Sequence, residues 1–476
     1  MTAALTDKFY IDGRWSTPAG AKTMDIVNPA TEATLGTLAL GTEADVHQAV
    51  AAAKAAFPAW SATPIADRAR VLRNIAEIYR ERFEEIAQAI STEMGAPITF
   101  ARDEQTQVGL AIAETTLAAL DGFVFEEELP NGDTLVREPI GVCGLISPWN
   151  WPINQIALKV FPALAAGCTM VLKPSELTPL SAILFAEILD QAGVPPGVFN
   201  MVHGEGPVVG AALSRHPDVD MMSFTGSHRG GTAVTIDSAP LVKRVALELG
   251  GKSPNLIFAD ADLEAAVHHG VDFLVSNTGQ SCDAPSRMLV EASVFEQVLE
   301  IAKARAESIA VDDPAKEGGH IGPLAHGVQY GRVQSMIDVG VQEGARVLAG
   351  GPGKPEGRET GFYVRPTVFT DVTPEMRIVK EEVFGPVLVI MPFADEAEGI
   401  ALANETEYGL GAYLSTGDPE RARRVARQLR AGTVNVNGRY IAAGSPFGGY
   451  KQSGVGREGG RHGIEEFLET KVITPV

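Results

Sequence analysis

Three cysteines are the first side chains in this 476-residue sequence that could do covalent chemistry, and their surroundings separate them. Cys143 lies in the apolar run GVCGLI and Cys168 in LAAGCTMVLK, settings in which cysteine serves as a small buried packing residue. Cys282 lies instead in SNTGQSCDAPSR, a small and polar setting that leaves a sulfur accessible. A thiolate there could attack an electrophilic carbon, with an inert packing role as its alternative. Asp283 follows directly, and a carboxylate approaching the sulfur would disfavour the thiolate. The cysteine spacings suit neither a metal site nor a disulfide framework, so no metal or disulfide is expected.

Two further residues carry useful chemistry in constrained settings. Glu248, in ELGGKSP, offers a proton acceptor, a salt-bridge partner or a helix cap, and Gly250 and Gly251 beside it permit close backbone passage. Asn150, in PWNWP, offers an uncharged donor for a developing oxyanion or simply stabilises a turn. Residue type alone leaves these alternatives open.

Such residues need a scaffold that brings distant segments together. The repeating pattern TMVLKPSE, PLSAILFAEILDQAG, VFNMVHG, PVVGAALSRHP, VDMMSFTG reads as strand, helix, strand, helix, strand, which argues for a parallel α/β sheet with function at the strand ends. KRVALELGGKSPNLIF continues it with further strands. Upstream, FYIDG reads as a strand and turn, and an N-capped helix starts at Thr42. A longer helix opening at Pro64 is expected to carry Leu72, Ile75, Tyr79, Phe83, Ile86 and Ile90 on one face and to stop at Gly95 and Pro97. Residues 122–146 read as an extended hairpin turning at Asn131, Gly132 and Asp133. A second α/β region runs from near Gly251 to about residue 445, with helices in AAVHHGVDFLVSNTG, VFEQVLEIAKARAESI and GVQYGRVQSMIDVGVQEGA and a late strand TVNVN. The Gly-rich SPFGGYKQSGVGREGG reads as a structured loop before the strand-like KVITPV.

Length favours two or three domains, and 45% apolar with 21% charged residues indicates a chain folded throughout. With 39 basic against 60 acidic side chains, the net charge of −21 disfavours nucleic acid and anionic lipid. No stretch has the length and apolarity of a membrane span, and MTAALTDKFY lacks a secretory pattern, so a cytoplasmic location is expected.

The ordered set PWNWP (148–152), VLKPSE (171–176), FTGS (224–227), ELGGKSP (248–254), GQSCDAPSR (279–287), EEVFGPV (381–387) and PFGGYKQSGVGRE (446–458) resembles the aldehyde dehydrogenase superfamily, specifically its nonacylating, hydrolytic branch, across nearly the whole chain. The resemblance implies an α/β fold with a Rossmann-like cofactor domain (1–120 and 142–250), an α/β catalytic domain (251–445), a return segment near the active site (446–466) and a small β oligomerisation element (121–141 and 467–476). It implies NAD(P)-dependent oxidation of an aldehyde to a carboxylic acid through a cysteine-linked thiohemiacetal and thioester, followed by hydrolysis, in a homodimer or homotetramer without a metal.

By the same resemblance Cys282 is the nucleophile, Glu248 the general base and Asn150 an oxyanion donor. Lys173 and Glu176 resemble the pair at the adenosine ribose, where Glu176 favours NAD⁺ over NADP⁺ by repelling a 2′-phosphate, although NADP⁺ is accommodated in some relatives. Gly226, Ser227 and Gly231 resemble the pyrophosphate site at a helix N-terminus, and Glu382 and Phe384 the groups that place the nicotinamide ribose and ring. A substrate entrance is expected from Trp151, Leu158, Asp283, Arg439, Tyr440, Ile441 and Phe447, with Arg439 either facing solvent or recognising an anionic semialdehyde.

Overall fold

In a computed structural model that describes residues 5–475, the strand-forming segments assemble into two large sheets and two small ones. The first large sheet has five parallel strands at its centre, in the order Arg244–Glu248, Met221–Thr225, Val142–Ile146, Thr169–Lys173, Phe199–Met201. Antiparallel strands flank these on both sides, Gly454–Val455 beside Arg244–Glu248 and Phe9–Ile11 beside Phe199–Met201, with Arg14–Ser16 beyond it at the edge. Val142–Ile146 and Thr169–Lys173 are buried at every position, as expected of parallel strands covered on both faces. Helix Pro152–Ala166 packs on this sheet almost wholly buried, beside Pro179–Gln191.

The second large sheet runs Arg346–Ala349, Thr367–Thr370, Val387–Phe393, Arg287–Glu291, Pro254–Ile257, Gly411–Ser415, Thr433–Val436, parallel except for its first strand. Helices Leu263–Val275, Phe295–Ser308 and Gly327–Gln342 accompany it, as their apolar periodicity predicts. The third sheet is antiparallel: the C-terminal strand Leu468–Ile473 pairs with Thr134–Pro139, which pairs with Glu126–Glu128. The architecture is thus α/β, with helices packed on two large, mostly parallel sheets and a small antiparallel sheet that joins the C-terminal strand to the 126–139 hairpin.

Three elements differ from the sequence reading. The helix expected to run from Pro64 to Gly95 is two helices, Ile65–Glu81 and Phe83–Met94, broken at Arg82 with φ −101° and ψ 13°. The guanidinium of Arg82 bonds Glu85 and, across the layer, Glu187 on Pro179–Gln191, each at 2.8 Å. Apolar residues continue at helical spacing through the break, so periodicity does not reveal it. The second arm of the 122–146 hairpin likewise divides. Gly141, at φ +135°, turns the chain out of the small sheet so that Val142–Ile146 enters the large one, and a side chain there would collide with Asp220, whose carboxylate accepts the Val142 N–H at 2.7 Å. The segment PVVGAALSRHP begins with a π-helical turn, Gly206–Gly210, before the short α-helix Ala211–Arg215.

Candidate active site

Cys282 follows a turn that the chain enters by leaving helix Leu263–Val275 through Ser276–Gly279, with Asn277, Thr278 and Gly279 all at positive φ. Buried amides hold this unusual path. Gln280 donates to the Asn277 carbonyl at 3.0 Å and accepts the Ala325 N–H at 2.9 Å. Gln105 donates both to the Asn150 carbonyl (3.0 Å) and to the Asn277 side chain (3.1 Å), and Asn277 donates to the Asn150 carbonyl at 2.8 Å. These bonds stitch PWNWP to the cysteine turn. Asn150 gives one amide hydrogen to the Gln280 carbonyl at 3.0 Å, leaving its second for another acceptor.

Cys282 keeps part of its surface open, yet its thiol lies in desolvated surroundings. Burial, followed by the charges of Asp283, Glu248 and Glu382, pushes that thiol well above its usual range. Gly251 passes so close that a Cβ there would lie 2.6 Å from the Cys282 carbonyl oxygen. Glu248 ends strand Arg244–Glu248 and is 5% exposed, with neither carboxylate oxygen hydrogen-bonded among the described residues. Burial and the neighbouring Glu458 hold its carboxyl well above the ordinary range, against the opposing influence of Lys159 and Arg457. The space beside it is kept by Gly448, whose Cβ would collide with the Glu248 carboxylate.

The buried ion pair Lys159–Glu458 (2.8 Å) beside this carboxyl is absent from the sequence reading. Lys159 is 1% exposed and also donates to Ser223 Oγ at 2.9 Å. A lysine within the otherwise apolar face of Pro152–Ala166 was the available signal. Gln105 was also missed; its partners lie far away in sequence, and no local pattern announces them.

The cofactor-type residues gather at strand ends. Lys173 closes Thr169–Lys173, and its ammonium meets Glu176 at 2.9 Å. Gly226 and Ser227 follow Met221–Thr225; Ser227 caps helix His228–Ser238 by accepting the Gly230 N–H at 3.2 Å, and Gly231 sits against Leu249 in the first turn. Backbone donors and the helix N-terminus there suit a phosphate group. Glu382 accepts the Gly251 N–H at 3.1 Å, and burial lifts its carboxyl to about 7. Phe384 adopts φ +59°; Gln329 donates to its carbonyl at 2.8 Å, and the Trp149 ring meets it edge-on at 5.5 Å.

The expected entrance residues divide into several settings. Trp151 donates to Ser281 Oγ at 2.9 Å, beside the cysteine, and Leu158 shares a narrow cavity with Glu248 and Glu458. Asp283 is buried and accepts the Tyr440 hydroxyl at 2.7 Å and the Tyr413 hydroxyl at 3.3 Å. Phe447 pairs through its backbone with Glu458. Ile441 is half-buried on the segment following Tyr440, and Arg439 is exposed without a side-chain hydrogen bond or ion pair among the described residues.

Residues 15–473 match the model of the aldehyde dehydrogenase family. The chain is 54% identical over 98% of both sequences to a 3-succinoylsemialdehyde-pyridine dehydrogenase from a Pseudomonas species. Among solved structures, aldehyde dehydrogenase C from Pseudomonas syringae, a variant complexed with NAD⁺ and octanal, superposes with a TM-score of 0.97 at 51% identity, covering 99% of this chain and 97% of the other. An aldehyde dehydrogenase from Bartonella henselae gives a TM-score of 0.97 at 49% identity, covering 98% and 99%. A sulfur beside an unpaired buried carboxyl, phosphate-type donors at neighbouring strand ends and agreement over nearly the entire chain have one common account: this chain belongs to the aldehyde dehydrogenase family.

Proposed function

We propose that Cys282 is the nucleophile, Asn150 an oxyanion donor and Glu248 the general base of an NAD(P)-dependent aldehyde dehydrogenase of the nonacylating type. The observation that carries this reading is the Glu248 carboxyl, buried, unpaired and close enough to influence the Cys282 thiol. Attack by the thiolate on RCHO gives a thiohemiacetal, whose oxyanion accepts the free Asn150 amide hydrogen and the Cys282 backbone N–H. NAD(P)⁺, when bound, accepts the hydride that leaves a thioester on sulfur. Glu248 then takes a proton from the water that releases RCOOH. The balance is RCHO + NAD(P)⁺ + H₂O → RCOOH + NAD(P)H + H⁺.

Lys173 and Glu176 fit the adenosine ribose hydroxyls, Gly226, Ser227 and Gly231 the pyrophosphate, and Glu382 and Phe384 the nicotinamide ribose and ring. NAD⁺ is the preferred form in this reading, because Glu176 stands where a 2′-phosphate would add negative charge; kcat/KM favouring NADP⁺ would overturn that preference. Residues 1–120 and 142–250 form the cofactor domain, 251–445 the catalytic domain, 446–466 the return segment, and 121–141 with 467–476 the element for homodimer or homotetramer assembly. The substrate is a small-molecule aldehyde entering past Trp151, Leu158, Asp283, Arg439, Tyr440, Ile441 and Phe447. Among the described residues no helix is long and apolar enough to cross a membrane. A mechanism that needs Cys282 reduced favours the cytoplasm.

Comparing Cys282→Ala with Glu248→Gln tests the roles. Cys282→Ala binds the nicotinamide cofactor but produces neither a covalent adduct nor aldehyde-dependent NADH. Glu248→Gln gives an enzyme-sized NADH burst with accumulation of the acyl adduct, read by rapid mixing and intact-protein mass. Robust turnover by Cys282→Ala rejects the covalent route, and near-parental turnover of Glu248→Gln rejects the base. Release of free acid without coenzyme A separates hydrolysis from acyl transfer.

A further inference from the structure

We propose that this site selects uncharged aldehydes against those carrying a carboxylate, and that Asp283, tethered by Tyr440, makes the selection. The inference rests on Cys282 being the reacting residue. Asp283 follows it directly, and its carboxyl is the strongest of the charges acting on the Cys282 thiol, so an aldehyde held at the sulfur feels that charge. Oδ2 of Asp283 accepts the Tyr440 hydroxyl at 2.7 Å and the Tyr413 hydroxyl at 3.3 Å. Burial raises the Asp283 carboxyl above the ordinary carboxylate range, and the two phenol donors oppose that rise by favouring the ionised form. Phe273 packs against both rings, at 5.4 Å from Tyr440 and 5.5 Å from Tyr413, and this aromatic sheath keeps out the water that would screen the charge.

Tyr440 locates the effect at the mouth. Tyr440 is 48% exposed while its hydroxyl reaches inward to Asp283, so one residue links solvent to the residue next to the sulfur. The charged side chains acting on the Cys282 thiol are Asp283, Glu248 and Glu382, all carboxyls. No cationic side chain pairs with Asp283 among the described residues, and Arg439, adjacent to Tyr440, is exposed without an ion pair. A carboxylate tail passing Tyr440 toward the sulfur would surrender hydration and meet like charge at Asp283, while Arg439 stays in solvent at the mouth, where water screens its attraction. An uncharged tail meets aromatic carbon.

Succinic semialdehyde and the methyl ester of the same molecule isolate the charge. We expect wild-type kcat/KM to favour the ester at least about tenfold. Asp283→Asn keeps the size and the capacity to accept phenol hydrogen bonds, and narrows the ester-to-acid ratio by about tenfold whatever its absolute activity. Tyr440→Phe, at a half-exposed ring, narrows the ratio in the same direction by removing one donor that favours the ionised carboxylate. Arg439→Ala leaves the ratio in place. Wild-type preference for the acid, an unchanged ratio in Asp283→Asn, or loss of acid turnover on Arg439→Ala overturns the proposal. Failure of the underlying role of Cys282 reads differently, as NADH production from the ester that survives Cys282→Ala.

Discussion

The thiol of Cys282 sits where its own ionisation is opposed, by burial first and then by Asp283, Glu248 and Glu382. A raised pKa means a smaller thiolate fraction at any given pH, so the free enzyme should resist alkylation at neutral pH. Its inactivation rate by iodoacetamide should keep climbing with pH beyond the usual thiol value of 9.0, without a plateau there. With the nicotinamide ring in its proposed place beside Glu382, adding NAD⁺ should move the profile to lower pH; a plateau below 9 in the free enzyme would contradict this electrostatic account. That Cys282, Glu248 and Asn150 gather in one place was legible because each stands in a run whose composition is unusual for packing and whose order matches a known family. Their supports were not legible. Lys159 pairs with Glu458, and Gln105 with Asn150 and Asn277, through contacts that only tertiary folding creates.

The strands were readable because their alternation with helices follows chain order, and the parallel register places Asn150, Lys173, Gly226 and Glu248 just beyond or at neighbouring C-terminal ends. Breaks within elements were harder. Arg82 interrupts a helix whose apolar spacing continues unbroken, because the reason for the break is an ion pair with Glu187 on another helix. Gly141 separates two strands that share one β-like run, and what demands it is the Asp220 carboxylate. The turn carrying Cys282 is similarly fixed by close approach. Gly251→Ala should press a methyl group on the Cys282 carbonyl and displace the backbone N–H proposed for the oxyanion. We expect kcat to fall about 100-fold while the circular dichroism spectrum stays parental. Unchanged kcat would show that the turn yields freely.

Across the molecule, the small sheet leaves Leu468–Ile473 as an edge strand with Val472 52% and Ile473 48% exposed, while Thr433–Val436 ends the second large sheet. Unpaired edges of this kind are templates for another chain. Light scattering should therefore give a mass that is a multiple of the 50.3 kDa protomer, and Val472→Lys with Ile473→Lys should reduce it; a parental wild-type monomer would refute self-association through this edge. The two mostly parallel sheets could be anticipated from α/β alternation, but the exposure of this edge could not, since a strand-like run does not disclose which neighbour it lacks. Gln105 carries a different consequence. It projects from the π-helical turn Ala101–Thr106, in the helical layer of the first lobe, yet its amide fastens the backbone of Asn150 and the side chain of Asn277. Opening that turn by mild heat or urea would cast off the moorings of the oxyanion site while both large sheets still stood. We expect loss of hydrogen-exchange protection across 101–106 to precede global unfolding and to keep time with loss of turnover; protection that persists until the sheets unfold would refute this.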